Sequence, residues 1–151
     1  LFQYTISLMH HLAFMKKEWG FIDKILSGRK TIESRWYKAK KVPWGKIKRG
    51  DTVYFKNSGE SVTAKADVSS TFQFEELTPK KVKGILDRQG RELGISKENF
   101  SGFYKRFKDK RYCILIFLEN PQRIKPFKID KKGFGAMASW ICVDDIGQIK
   151  I

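Results

Sequence analysis

The sequence contains few cysteines, and this excludes several classes of protein. Only Cys113 and Cys142 are present among 151 residues, so a disulfide-stapled scaffold is excluded. Both cysteines lie in apolar, strand-like runs, which is typical of reduced core thiols and predicts a cytoplasmic protein. Two cysteines and two adjacent histidines at scattered spacings do not match a zinc site. We therefore expect neither a metal nor a cofactor.

Long apolar runs and negative charge are also scarce. No run approaches the roughly 20 apolar residues that a membrane-spanning helix needs, so no membrane association is predicted. Asp and Glu number 16 against 31 Lys and Arg, which gives a net charge of +15. This excess of positive charge repels itself in a folded protein, and a polyanionic partner is the usual reason for it. The alternative is a lysine-rich surface that only keeps the protein soluble.

The length favours a single domain. With 151 residues, 41% of them hydrophobic, the chain can form one hydrophobic core but hardly two. No internal repeat or low-complexity segment divides the sequence. We expect residues 1–9 to form an N-terminal extension and residues 10–151 to form one domain, with a monomer as the default oligomeric state.

Hydrophobic spacing predicts an α+β fold. Helical spacing indicates helices over residues 17–27, 79–88 and 98–107. Alternation or continuous apolar runs indicate strands over residues 11–15, 31–37, 51–56, 61–74, 112–118, 124–129 and 138–143. Residues 38–49, between two of these strands, are predicted to be a loop. Strands outnumber helices, which favours a small barrel-like α+β domain.

Residues 35–50 form the first candidate site. This stretch holds seven basic residues and no acidic one, and Trp36, Tyr37 and Trp44 are interleaved with them. Cations neutralise phosphates and release counterions, while aromatic faces stack on unpaired bases. The pattern therefore predicts contact with a single-stranded nucleic acid. The alternative is that the aromatic side chains cover the core.

Residues 28–35 (GRKTIESR) form the second candidate site, where the first predicted helix meets the next strand. Glu33 and Arg35 share a strand face, and we expect them to form a fork-like ion pair that holds the guanidinium toward a cleft. Lys30 lies at the turn and is free to point into the same cleft. Loss of water there would lower its pKa and allow it to act as a base or nucleophile. Mixed charges after a helix-capping glycine are also a common surface pattern.

Four residues of this segment carry a resemblance to a known family. Gly28, Lys30, Glu33 and Arg35 match the signature G-x-K-x-x-E-x-R, so the sequence is similar to the activating-signal-cointegrator homology (ASCH) domain of the PUA-like superfamily. The preceding ILSG helix end, the following Arg-Gly-Asp strand start and the strand order extend the resemblance over most of residues 10–145. The resemblance implies a PUA-like small mixed β-barrel with two or three flanking helices, a cleft beside the signature, and RNA binding.

The same resemblance leaves an enzymatic alternative open. Some small bacterial members resemble amidohydrolases of acetylated cytidine that use a Lys, a Thr and a Glu. Lys30 matches the lysine, whereas Glu33 stands where the threonine is expected. No carboxylate lies near Ile85, where the acid is expected, so Asp87 or Glu92 would have to replace it. A hydrolase acting on a modified nucleoside amide or on RNA would use Lys30 as its base and Glu33 in place of the missing hydroxyl.

The sequence thus predicts RNA or nucleotide binding in a basic cleft beside the signature. The expected partner is RNA or another single-stranded nucleic acid, and a protein partner of acidic character would explain the charge but not the interleaved tryptophans. The candidate catalytic residues, should the protein be an enzyme, are Lys30 and Glu33. The candidate nucleic-acid-binding residues are Lys30, Thr31, Glu33, Arg35, Trp36, Lys38, Lys40, Lys41, Trp44, Lys46, Lys48 and Arg49.

Overall fold

Six strands and three α-helices make up the part of the chain that the computed structural model describes, residues 7–151. Most of the predicted extension over residues 1–9 therefore lies outside the described residues. The elements are β1 His10–Met15, α1 Phe21–Leu26, β2 Ile32–Tyr37, β3 Thr52–Asn57, β4 Val62–Phe74, α2 Pro79–Gln89, α3 Phe100–Phe107, β5 Tyr112–Phe127 and β6 Trp140–Val143. Short 3-10 turns lie at Lys17–Trp19, Lys97–Asn99 and Ile146–Gln148.

The strands form one curled sheet in the order β2-β5-β4-β3-β1-β6. β1 and β3 run parallel, and the other neighbouring strands are antiparallel. Arg35, on edge strand β2, donates hydrogen bonds to the carbonyls of Phe14 in β1 and of Ser139, just before β6. One side chain therefore joins strands from opposite ends of the sheet order, so the sheet must curl into a partial barrel. The predicted α+β, barrel-like fold is confirmed.

Two apolar clusters cover the two faces of this sheet. Ala13 and Leu12 are neighbours in β1 but belong to different clusters, because successive strand residues point to opposite faces. The larger cluster packs the helices against the sheet, as at Ile25 of α1 and Ile85 of α2. The smaller one is covered by the C-terminal segment, including Ile146. The helices therefore lie on one face only.

Helix α2 follows directly from its sequence. The hydroxyl of Thr78 accepts a hydrogen bond from the backbone N–H of Lys81 at 3.3 Å, and Pro79 stands at the first helical position. Val82, Ile85 and Leu86 are buried, as their spacing along one helical face requires. None of the described helices combines the length and the apolar character that a membrane crossing requires.

The helix predicted over residues 17–27 is wrong in its first half. Lys17–Trp19 forms a 3-10 turn, and α1 begins only at Phe21. Gly20 separates them with a φ of 63°, a left-handed conformation that interrupts an α-helix and that glycine adopts without steric cost. Trp19 therefore does not belong to α1.

The last two strands of the chain, β5 and β6, also differ from their predictions. Residues 112–118 and 124–129 were expected to be two strands, but Tyr112–Phe127 is a single strand. Asn120, with a φ of 51°, and Pro121 interrupt the apolar pattern, and register shifts in the pairing with β4 absorb them. The last strand begins at Trp140 rather than at residue 138.

The predicted loop over residues 38–49 contains neither helix nor strand. Its middle is held against the sheet, since the backbone N–H of Gly45 donates to the side chain of Gln73 at 2.7 Å. The Trp44 ring contacts the Tyr112 ring edge-on, with 5.2 Å between centroids. Trp44 is half-buried and packs on the core, as the alternative interpretation of the aromatic residues expects.

A buried polar network ties β1 to the start of β3 and to β6. His11 Nδ1 accepts a hydrogen bond from Trp140 Nε1 at 3.0 Å, so its Nε2 carries the proton and donates to Asp51 Oδ2 at 2.8 Å. Asp51 also accepts from the backbone N–H groups of Met9 and Lys48. Burial lowers the pKa of His11 against the opposing effect of Asp51. The network therefore holds a neutral imidazole and an ionised carboxylate.

Candidate functional site

The signature segment begins where α1 ends. Gly28 has a φ of 81°, which turns the chain from the helix toward β2. The backbone N–H of Lys30 then donates to the carbonyl of Lys24 at 3.0 Å. Thr31 and Ile32 both donate their N–H groups to the carbonyl of Glu92. These bonds fix the direction in which the next side chains point.

Lys30 points into the protein. Its side chain is only 1% exposed, and Nζ donates to the carbonyls of Ile32 and Leu93, both at 2.7 Å. Nζ also lies 3.2 Å from Glu33 Oε1, so all three ammonium protons face an acceptor. The Phe21 ring, 4.3 Å away, covers the same group. The expectation that Lys30 is free to point into a cleft is therefore wrong, because its chain folds back under β2.

Glu33 is the centre of a buried ion network. Its Oε2 lies 2.9 Å from Arg35 Nη2, while its Oε1 accepts the Ser34 N–H at 3.1 Å. Burial raises the pKa of Glu33, but the charges of Lys30 and Arg35 outweigh this effect and hold the pKa below its usual value. The predicted contact between Glu33 and Arg35 forms, although through one guanidinium nitrogen rather than as a fork.

Arg35 connects this network to β1 and to the residues just before β6. We call the line where β2 approaches these segments the seam of the partial barrel. Nη1 donates to the carbonyl of Ser139 at 3.1 Å, and Nη2 donates to the carbonyl of Phe14 at 3.2 Å. The guanidinium carbon lies 5.0 Å from the centroid of the Trp140 ring. Nε is buried and has no hydrogen-bond partner within residues 7–151. This N–H group is therefore enclosed by the protein.

A cavity of about 200 Å³, here called the aromatic cavity, opens at this seam. Glu33, Ser34, Arg35 and Ser139 supply polar groups of its lining at the seam. The rest of its wall is rich in aromatic residues, namely Phe14, Trp19, Phe21, Trp36, Tyr37, Phe103 and Phe107. The rings of Trp36 and Phe107 stack with centroids 4.6 Å apart and planes 7° apart. The cavity therefore offers flat apolar surfaces beside a few hydrogen-bonding groups.

Two cations flank Trp19 at the edge of the aromatic cavity. Lys16 Nζ and the Arg106 guanidinium carbon each lie 5.0 Å from the centroid of its ring. Both side chains line the cavity, and Trp19 itself is half-buried. An anionic group attached to an occupant of the cavity would meet positive charge here.

The structure brings together only part of the predicted site. Glu33, Arg35 and Trp36 line the aromatic cavity, and Lys30 lies behind its wall. Thr31 lines a different cavity, with Arg29 and Arg91 among its neighbours. The remaining predicted residues line neither of these cavities, namely Lys38, Lys40, Lys41, Trp44, Lys46, Lys48 and Arg49.

Sequence reasoning did not assign most of the residues that line the aromatic cavity to the site, and five of these matter for its chemistry. They are Lys16, Trp19, Phe103, Arg106 and Phe107, from the 3-10 turn region and α3. The sequence did contain a pattern that could have indicated part of this site, because residues 104–112 combine basic and aromatic residues. The spacing of Phe103, Arg106 and Phe107 places all three on one side of α3. This spacing is equally typical of a core helix.

No metal centre accompanies the cavity in the described part of the chain, where no three His, Cys, Asp or Glu side chains are grouped closely enough to hold an ion. The polar groups of the cavity are suited to hydrogen bonding and to charge pairing.

Comparison with known proteins identifies the fold. No protein-family model and no curated protein matches the sequence. The ASCH protein of Zymomonas mobilis is similar in structure, with 21% identity and a TM-score of 0.62 over 87% of this chain and 85% of that chain. A point variant of that protein gives 19% identity and a TM-score of 0.63 over 91% and 89% of the two chains. A protein from Enterococcus faecalis V583 gives 11% identity and a TM-score of 0.53 over 82% and 84%. The chain therefore has the α+β fold of an ASCH domain, as the resemblance of its sequence implied.

Proposed function

We propose that this chain binds single-stranded RNA and that the aromatic cavity receives one unpaired base. The observation that carries the proposal is the combination of aromatic walls, the Arg35 donor and the cations beside Trp19 in one cavity. Its volume lies below the roughly 300–1,000 Å³ of sites for drug-sized ligands, which suits a ligand as small as a base.

The chemistry of the wall matches that of a base. Every base has an aromatic face, and stacking on aromatic side chains is tolerant of sequence. Arg35 lines the cavity, so a carbonyl oxygen of a bound base would lie beside a charged hydrogen-bond donor. The network of Lys30, Glu33 and Arg35 carries two positive charges and one negative charge. It therefore favours an electron-rich acceptor on the ligand.

The basic loop over residues 38–49 supports the same proposal in a different way. Lys38, Lys40, Lys41 and Lys46 are exposed, Lys48 is half-buried, and none of the five lines the aromatic cavity. With the net charge of +15 they contribute to a general attraction for phosphates. The loop would thus hold the backbone of a strand whose base occupies the cavity.

The geometry favours binding over hydrolysis. A base or nucleophile at Lys30 needs a free lone pair that reaches the substrate. Lys30 instead donates to three acceptors and lies behind the cavity wall. Burial lowers the pKa of Lys30, but the carboxylate of Glu33 opposes this effect. This lysine is best suited to support β2.

Replacement of Trp19 by alanine tests the position of the base. We expect Trp19→Ala to weaken binding of a short single-stranded RNA about 5- to 150-fold, since stacking contributes about 1–3 kcal/mol per base. Fluorescence anisotropy of a labelled oligonucleotide at low salt measures the affinity. The control is Tyr54→Ala, a half-buried aromatic residue of β3 that lies outside residues 38–49 and does not line the cavity. Equal losses in the two variants, or no binding by the unmodified protein, would contradict the proposal.

Charge reversal tests the contribution of the basic loop. We expect replacement of Lys38, Lys40 and Lys41 by glutamate to lower the affinity for RNA and to flatten its salt dependence. Each lost phosphate contact should reduce the slope of log K against log salt by about 0.7. The control exchanges three exposed lysines elsewhere, Lys80, Lys125 and Lys128, and changes the net charge equally. The same loss in both variants would mean that the loop makes no direct contact.

A further inference from the structure

A second cavity, of about 390 Å³, adjoins the aromatic cavity. The two cavities share four lining residues, Trp19, Phe21, Phe103 and Arg106. Shared walls mean that occupants of the two cavities would lie next to each other. The second cavity plays no part in the function proposed above.

Trp19 belongs to the wall that the two cavities share. Its ring meets the Phe103 ring edge-on with 5.0 Å between centroids, and it lies 5.4 Å from Phe21. These contacts fix the orientation of the indole ring within the shared wall. The ring is half-buried, so part of its surface is accessible to a ligand. An aromatic plane in this position can be contacted by one base in each cavity.

The second cavity has a different polar lining from the first. Glu18, Glu98 and Asn99 line it, together with Lys24. Carboxylates accept hydrogen bonds from amino groups, as in the pairing of Glu or Asp with the amino group of cytosine. Two carboxylates are unfavourable neighbours for a phosphate. The lining therefore suits a base that carries an exocyclic amino group.

Arg106 lies at the boundary between the cavities. It is an exposed residue of α3, its guanidinium carbon is 5.0 Å from the Trp19 centroid, and it lines both cavities. It forms no ion pair with any carboxylate in the described part of the chain, so its charge is available to a ligand. Two successive bases of one strand are joined by a single phosphodiester, and one shared cation matches that arrangement.

We propose that the two cavities bind two successive bases of one RNA strand, one on each side of Trp19, and that Arg106 binds the phosphodiester between them. The base in the second cavity carries an amino group that Glu18 or Glu98 accepts. This inference rests on the proposed function, because the aromatic cavity must receive the first base. It makes a dinucleotide, rather than a single nucleotide, the unit of recognition.

Dinucleoside monophosphates test this arrangement directly. Calorimetry compares adenosine with ApA, cytidine with CpC and uridine with UpU. We expect ApA and CpC to bind about tenfold or more tightly than their nucleosides, because a second base stacks and a phosphate is bound. The gain for UpU is expected to be smaller, since uracil lacks an amino group. Equal affinities of nucleosides and dinucleotides would overturn the inference.

Two variants of α3 test whether Arg106 is the cation that binds the phosphodiester. We expect Arg106→Gln to reduce the ratio of ApA affinity to adenosine affinity several-fold, whereas Lys105→Gln leaves this ratio unchanged. Lys105 is an exposed neighbour on the same helix that lines neither cavity. An equal ratio in both variants would overturn the role of Arg106. Nucleoside binding without any gain from the second nucleotide would refute this inference alone, while the absence of all binding would also refute the proposed function.

Discussion

Glu33→Gln is expected to lower the free energy of unfolding by about 3–5 kcal/mol, because it removes the counter-charge of two largely buried cations. Glutamine keeps the shape of the side chain, so packing is little changed. Lys30 and Arg35 would then remain inside the protein with one neutral amide between them. Urea denaturation at pH 7, followed by tryptophan fluorescence, measures the difference.

An exposed ion pair provides the control for this variant. Glu60 lies 2.8 Å from Lys17, as short as any ion pair in the described structure, but both side chains are largely exposed to solvent. We expect Glu60→Gln to change the stability far less than Glu33→Gln, since solvent screens such a pair. Equal effects of the two substitutions would show that burial of Glu33 does not determine its contribution.

The pH dependence of the free energy of unfolding gives a second measure of the contribution of Glu33 to stability. Its pKa in the folded protein is lower than the ordinary value of 4.5. The unfolded state therefore binds the proton more readily, and the contribution of Glu33 is fully present above pH 4.5. This contribution is lost as the pH falls through the folded-state pKa. The Glu33→Gln variant lacks the contribution and should lose less stability below pH 4.5 than the unmodified protein.

Asp51→Ala is expected to lower the free energy of unfolding by at least about 3 kcal/mol. The carboxylate accepts hydrogen bonds from His11 and from the backbone N–H groups of Met9 and Lys48. Each buried donor that loses its only partner costs about 1–3 kcal/mol. Chemical denaturation at pH 7 measures the loss. Asp67→Ala is the control, since Asp67 is half-buried and accepts one hydrogen bond, from Asn120 at 3.2 Å. A similar cost for both variants would contradict the role of the network.

The same network makes stability sensitive to mild acid. Burial lowers the pKa of His11 below its ordinary value of 6.5, while Asp51 opposes the shift. A His whose folded-state pKa is lowered stabilises the protein above pH 6.5, and this contribution is lost as the pH falls below that value. Asp51→Ala removes the opposing charge, so the pKa of His11 should fall further. Titration of the His11 ring by NMR reports this shift.

The two networks explain how the site is held. Lys30 lies in the turn between α1 and β2, and Glu33 and Arg35 lie in β2. The Arg35 side chain reaches across the seam to the carbonyls of Phe14 and Ser139. The His11 network fixes β1 and β6 on the other side of the same seam. The aromatic cavity therefore lies between elements that these networks hold together, which would pre-organise the proposed binding site.

Most secondary-structure elements could be predicted because their signals are local. The Thr-Pro start of α2 and the alternating residues of β4 depend only on neighbours in the sequence. The errors arose where a local signal was overridden. Gly20 ended a 3-10 turn inside a helical pattern, and the Asn120-Pro121 step was absorbed within β5.

The site was predicted less completely than the fold. The signature residues Glu33 and Arg35 were identified together with Trp36, and all three line the aromatic cavity. The direction of Lys30 could not be predicted, because it depends on the carbonyl of Leu93, 63 residues away in sequence. Trp19 was missed for the same reason, since its contact with Arg106 joins distant segments.

The sequence by itself determined the excess of positive charge, the α+β class and the cluster of signature residues, since each depends on composition or on spacing within one segment. Only the tertiary structure decided which side chains share a cavity. Curling of the sheet brings β2, the 3-10 turn before α1 and α3 to one seam, and contacts between such distant segments depend on how the elements pack. Burial then decided which charges are available to a ligand, because Lys30 is enclosed by acceptors while Arg106 is exposed.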